Sequence, residues 1–124
     1  MAGEQNVETA KEAYAAFSAG DAETAMARIA DDVEWITPGN SAISGTAHGK
    51  HEVGALWAKL LEQGFTTSPQ YWFSDEDRVV VLTQITLAGE HADSADVLTY
   101  RDGKLVKFQT AGDTALVERV FGSK

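Results

Sequence analysis

Two carboxylates stand where strand periodicity leaves few places for them. The stretch Asp93–Asp113, DSADVLTYRDGKLVKFQTAGD, reads as two strands joined by a tight turn at Arg101–Lys104. On the first strand the period of two puts Asp96 on one face with Leu98 and Tyr100. Val97, Thr99 and Arg101 take the other. An aspartate in line with Leu and Tyr belongs either to a solvated face or to a buried site that uses it. Asp113 closes the second strand and directly precedes Thr-Ala-Leu-Val-Glu, so its first expected role is a helix N-cap and its second is acid–base work. One side chain can do both.

The other groups with chemical capacity are weaker candidates. His48 and His51 bracket Gly49, but no carboxylate spacing around them makes a metal site, and His51-Glu52 goes no further toward H-E-x-x-H. His91 is expected in a solvated turn. Asp31, Asp32, Asp75, Glu76 and Asp77 are expected to be turn acids in water. The chain has no cysteine, which excludes disulfides, thiolate nucleophiles and Cys-based metal sites. No metal and no cofactor is expected.

The elements that must position these groups follow from periodicity. A helix is predicted over Glu4–Ala19, with Val7, Ala10, Tyr14 and Phe17 as one apolar stripe and Gly20 past its end. Asp21 caps a short second helix that turns Ala22, Ala25, Met26 and Ile29 inward. Val33–Thr37 alternates as a strand and stops at Pro38-Gly39-Asn40. Ser41–Gly49 is a small-residue loop, and Lys50–Gln63 a third helix burying Val53, Leu56, Trp57, Leu60 and Leu61. Strands are predicted over Phe65–Ser74, with Pro69 marking an edge or a bulge, and over Arg78–Leu87. Ala88–Ala92 turns the chain into the Asp93–Asp113 hairpin, and Thr114–Phe121 is a last short helix or a tail. Helices on one face of a curved antiparallel sheet is the layer arrangement this order favours.

Composition sets the outer limits. At 124 residues one domain over 1–124 is expected, with a core that needs no staples. A net charge of −9 repels phosphate backbones and argues against nucleic-acid binding. The segment MAGEQNVETAKEAY has neither a basic flank nor an apolar run, and no stretch approaches the ~20 apolar residues of a membrane span. A soluble, cytoplasmic protein with no membrane partner is the expectation.

Six segments in order carry a resemblance. YAAFSAGD (Tyr14–Asp21), ADDVEW (Ala30–Trp35), Pro38-Gly39, ISGTAHGKHEV (Ile43–Val53), DRVVVL (Asp77–Leu82) and YRDGKLVKFQTAGDT (Tyr100–Thr114) resemble the SnoaL-like branch of the nuclear transport factor 2-like superfamily. The resemblance implies an α+β, cone-shaped fold. Its three N-terminal helices pack in the concave face of a strongly curved, mostly antiparallel sheet, with a pocket at one end. It implies a homodimer through the sheet. In such a cone Tyr14, Phe17, Trp35, Trp57 and Phe108, with His48 from the loop, line a pocket for a small apolar ligand. Asp96 falls where relatives place a polar pocket group, and Asp113 matches an acid–base aspartate of the cyclases. A carboxylate in an apolar cone loses solvation, its pKa rises toward working pH, and it can move a proton beside a carbonyl or activate water on an epoxide.

Resemblance to the steroid isomerases is weaker. Their helix-1 tyrosine stands seven residues before the Gly of the GD turn, where this chain has Ala13, and one residue is ~100° of helix. Their base aspartate, just before the Pro that ends the first strand, is Thr37 here. Tyr14 is therefore expected to be a core or pocket-wall residue.

Three functions remain open: an isomerase-, cyclase- or hydrolase-type enzyme using Asp96 and Asp113, a non-catalytic hydrophobic-ligand binder, and a dimerisation domain. The last predicts a pocket filled by side chains, and the first two an open cavity.

Overall fold

The computed structural model describes residues 2–124. Ten elements follow in order: α1 (Ala2–Ser18), α2 (Ala22–Ala27), β1 (Ile29–Thr37), β2 (Gly45–His48), α3 (Gly49–Glu62), β3 (Thr66–Asp75), β4 (Arg78–Leu87), β5 (Glu90–Arg101), β6 (Lys104–Ala111) and α4 (Thr114–Phe121). The strands form a single curved, unclosed sheet in the order β2-β1-β6-β5-β4-β3. All neighbours run antiparallel except β1 and β6, which are parallel. This is the α+β arrangement expected, with helices against the concave face of a mostly antiparallel sheet.

Local chemistry sets the boundaries. Asp21 caps α2, its carboxylate accepting from the Thr24 N–H at 3.1 Å. The β5–β6 hairpin turns on Asp102-Gly103, both at positive φ (+54° and +78°), which Asp-Gly tolerates and which matches the strand twist. Pro69 lies on the edge strand β3, next to a register break between Pro69 and Tyr71. A proline without an N–H is cheap only there. On β4, Val79 and Val81 point inward and are fully buried. The core they build also takes Ala10 from α1, Val53 and Trp57 from α3, and Leu98 and Phe108 from the hairpin.

Several expectations are corrected. Asp31 and Asp32 are not in a turn but in β1, which starts at Ile29; the sequence Ile29–Val33 buries its two ends and leaves both acids in water beside Lys50 and Arg101. Ile29 thus belongs to the strand rather than to the second helix. Half of the Ser41–Gly49 loop is β2, whose Ala47 pairs with Trp35. Small residues hide an edge strand because they carry no hydrophobic alternation. Leu61 is 48% exposed, since it lies off the stripe set by Val53, Leu56 and Trp57. The turn before β5 is only Ala88-Gly89, so His91 is an exposed strand residue whose Nδ1 lies 2.9 Å from Thr86 Oγ1. Asp75 ends β3 opposite Arg78 rather than sitting in the turn. Of the two alternatives for Thr114–Phe121, a short helix or a tail, the structure shows the helix.

Candidate functional site

Asp96 points inward. The register of β5 against β6 is unbroken from Ala95 to Thr99, which sets Asp96 opposite Thr110 and keeps it on the face of Leu98 and Tyr100. Against β4 it stands opposite Val81, which in turn stands opposite Trp72 on β3. The aspartate is 6% exposed and is the only buried Asp or Glu among the described residues.

Tyr14 reaches it from the other layer. Helix α1 lies across β3 and β4. From its fourth turn the Tyr14 hydroxyl donates to Asp96 Oδ2 at 2.5 Å. Trp72 holds the tyrosine ring in place, edge to face, with centroids 5.3 Å apart. The Thr110 hydroxyl, 3.0 Å from Ser94 Oγ, is a second group favouring the charged carboxylate. Burial is the larger effect and raises the Asp96 pKa above the usual carboxylate value, against the lowering by the Tyr14 and Thr110 hydrogen bonds. Burial also raises the Tyr14 phenol well above its ordinary value, with the neighbouring Asp96 charge adding to the effect. The ion pairs among the described residues all lie elsewhere, so no cation offsets the buried carboxylate.

These groups form one wall of a cavity of about 150 Å³ between the sheet and the helices. A water in the liquid takes roughly 30 Å³, so there is room for about five. The rest of the lining is mostly apolar and aromatic. Trp35 stacks on Phe108 at 3.7 Å and 14°, and Phe17 and Trp57 meet edge to face at 5.2 Å. The cavity is therefore not filled by side chains, as a purely assembling domain would have it. A second, more open groove of about 230 Å³ lies between β2 and α3. Its charged residues, Glu52 and Lys59, are exposed.

Of the residues singled out from sequence, Asp96, Tyr14, Phe17, Trp35, Trp57 and Phe108 all border the first cavity. Asp113 borders it too, but as an exposed residue at the rim, where its carboxylate caps α4 by accepting from the Leu116 N–H at 2.9 Å. His48 does not line it. It ends β2, exposed, and its N–H donates to Glu52 Oε1 at 2.8 Å. Tyr14 is more than the wall residue expected, since it is bonded to the buried acid. Thr37, where the isomerases carry their base, is buried and lines the cavity. Thr110 and Ser94 join the site without a sequence signal of their own, although the period of two from Phe108 places Thr110 on the inner face.

The comparisons with known proteins agree with this geometry. The chain belongs to the SnoaL-like domain family, whose family model matches residues 10–108. It is similar in fold to Bal32a from a soil-derived mobile gene cassette, at TM-score 0.89 and 24% identity over 98% of this chain and 99% of that one. An NTF2-like protein of unknown function from Burkholderia pseudomallei superposes at TM-score 0.84 with 26% identity, covering 96% and 98%. TerC, co-crystallised with polyporic acid, superposes at TM-score 0.81 with 28% identity, covering 96% and 99%. No curated protein matches the chain. Among the described residues no helix is long and apolar enough to cross a membrane. Among the described residues no cluster of three or more His, Asp or Glu could hold a metal ion. The SnoaL-like fold and the cavity are consistent with a small-molecule ligand.

Proposed function

We propose that the cavity is an acid–base site of the isomerase, cyclase or hydrolase type, acting on an apolar ligand that bears a carbonyl or an epoxide. The observation that carries this reading is the buried Asp96 carboxyl, without a cation and hydrogen-bonded to Tyr14 at 2.5 Å on the wall of an apolar cavity. Burial raises the Asp96 pKa, which moves the carboxyl toward the range in which it can both take up and give back a proton, as proton transfer requires. As the carboxylate it takes a proton from the carbon beside a carbonyl. The C–H pair becomes the enolate, and the proton held on Asp96 returns at another atom. As the acid it protonates an epoxide oxygen while water attacks the ring carbon and the C–O bond breaks, and the proton shed by the attacking water returns to the Asp96 carboxylate. Tyr14 holds the carboxyl in one orientation and stabilises its charged form. Asp96 alone moves the proton in this scheme, and Asp113 serves at the mouth.

TerC supports the choice of a small organic ligand, since it was co-crystallised with polyporic acid. Pairing with a second copy through the outer face of the sheet is part of the proposal. Tyr71 and Phe73 are 64% and 54% exposed there, and Leu82 stands directly opposite Tyr71. The assembled protein is proposed to work in the cytoplasm.

The test is a panel of cyclic ketones and epoxides, scored first for binding by thermal shift and then for turnover. For any compound turned over, Asp96→Asn is expected to retain binding and to lose at least ~100-fold in kcat. Unchanged turnover in that variant would remove the acid–base role. Binding across the panel with no turnover would leave a ligand carrier.

A further inference from the structure

We propose that Tyr100 anchors the bound molecule: its hydroxyl hydrogen-bonds a ligand oxygen deep in the cavity, beside the Tyr14–Asp96 pair. This rests on the cavity being a ligand site, and not on Asp96 doing chemistry.

Tyr100 is 4% exposed, and buried tyrosines place their hydroxyls on a partner. Its hydroxyl makes no hydrogen bond among the described residues, whereas Tyr14, its neighbour, is bonded to Asp96. No side-chain nitrogen or oxygen among those residues is both sealed from solvent and without a partner. The Tyr100 hydroxyl therefore opens on free space, and the space it borders is the cavity. Packing does not explain the oxygen. A phenylalanine would fill the same gap beside Leu98 and Leu105, so the hydroxyl is surplus to the core.

The surroundings define what it would hold. Tyr100, Tyr14 and Asp96 all border the same, mostly apolar cavity, with Tyr100 on the strand face of Asp96 and near enough for its phenol to add to the raised Tyr14 pKa. Tyr14 has given its proton to the hydrogen bond with Asp96, which leaves Tyr100 as the phenol free to donate. Of the basic side chains, only Arg28 borders the cavity, and its guanidinium is taken by Glu12 at 2.7 Å. An anion would meet Asp96 with no cation to offset it. The ligand class is thus an uncharged molecule of one or two rings with a hydroxyl or carbonyl oxygen at its leading end.

A matched pair of probes tests this. The protein and its Tyr100→Phe variant are titrated with 2-naphthol and with naphthalene, following binding by NMR chemical shifts. A ring-labelled Tyr100 reports the contact directly. The wild type is expected to bind 2-naphthol more tightly than naphthalene. The variant should lose about 3- to 10-fold in affinity for 2-naphthol, the value of one neutral hydrogen bond, and stay within about twofold for naphthalene. The Tyr100 ring carbon bonded to oxygen should move with 2-naphthol and not with naphthalene. An equal loss for both probes would make Tyr100 a packing residue. Wild-type binding of 2-naphthol that Tyr100→Phe leaves unchanged would overturn the anchor and leave the cavity reading intact. Failure of the wild type to bind either probe would overturn both.

Discussion

Replacing Asp96 by Asn should make the protein's stability relative to wild type depend on pH in one direction. An aspartate in an unfolded chain loses its proton near pH 3.9. In the folded protein burial raises that pKa. Between the two values the folded state binds more protons than the unfolded one, so wild-type stability falls as pH rises. Below the unfolded pKa the penalty is absent, and above the folded pKa it is complete and constant. Asn carries no titrating proton, and its Oδ1 still accepts from Tyr14. The gap between variant and wild type should therefore widen in favour of Asn, by about 1.4 kcal/mol for every pH unit that separates the folded pKa from the unfolded one. The other carboxylates cancel in the difference. Equilibrium urea unfolding of both proteins from about pH 3 to pH 8, at one protomer concentration, reads it. A gap that is flat, or that narrows with pH, would mean the Tyr14 and Thr110 hydrogen bonds outweigh burial. The proposal of a proton carrier at neutral pH would then lose its physical basis. Tyr14→Phe bears on the same balance. A hydrogen bond to a charged group is worth about 1.5–3 kcal/mol, so its removal should raise the Asp96 pKa further in a carboxyl-carbon NMR titration. No rise would show that Tyr14 does not stabilise the charge.

Two further outcomes are expected. Asp113→Ala should cost about 1 kcal/mol by freeing the Leu116 N–H, while Asp113→Asn keeps the cap and most of the stability. If the Asn variant holds its stability but loses turnover of a substrate found in the panel, Asp113 belongs to the chemistry and not only to the helix. Phe73→Asp should convert a dimer to a monomer by light scattering, because it puts a charge into the exposed Tyr71–Phe73–Leu82 surface. A wild type that is monomeric at tens of micromolar would remove the pairing through this face.

The sequence puts Asp96 on the strand face of Leu98 and Tyr100 but leaves open whether that face is solvated or buried, because the period of two says which residues share a face and not what covers it. The Asp-Gly signal places the hairpin, since both residues accept the positive φ its turn requires. Where the pattern is silent, as in Gly45–His48, the strand escapes notice, since Gly, Thr and Ala pair by backbone alone. The partner of Asp96 is hidden for a different reason. Tyr14 and Asp96 are 82 positions apart, and their bond depends on how far α1 is rotated about its axis and slid along β3 and β4. Counting back from Gly20 places Tyr14 about 100° off the isomerase tyrosine and leaves it in the wall. That count compares helices as if each docked alike. Here Trp72 on β3 meets the Tyr14 ring edge-on, and Trp72 shares a transverse row of the sheet with Val81 and Asp96. The row, not the turn at Gly20, aims the hydroxyl. An acid on a core-facing strand therefore identifies a site before its donor can be named, and the donor is decided by whichever side chain the docked helix presents to that row.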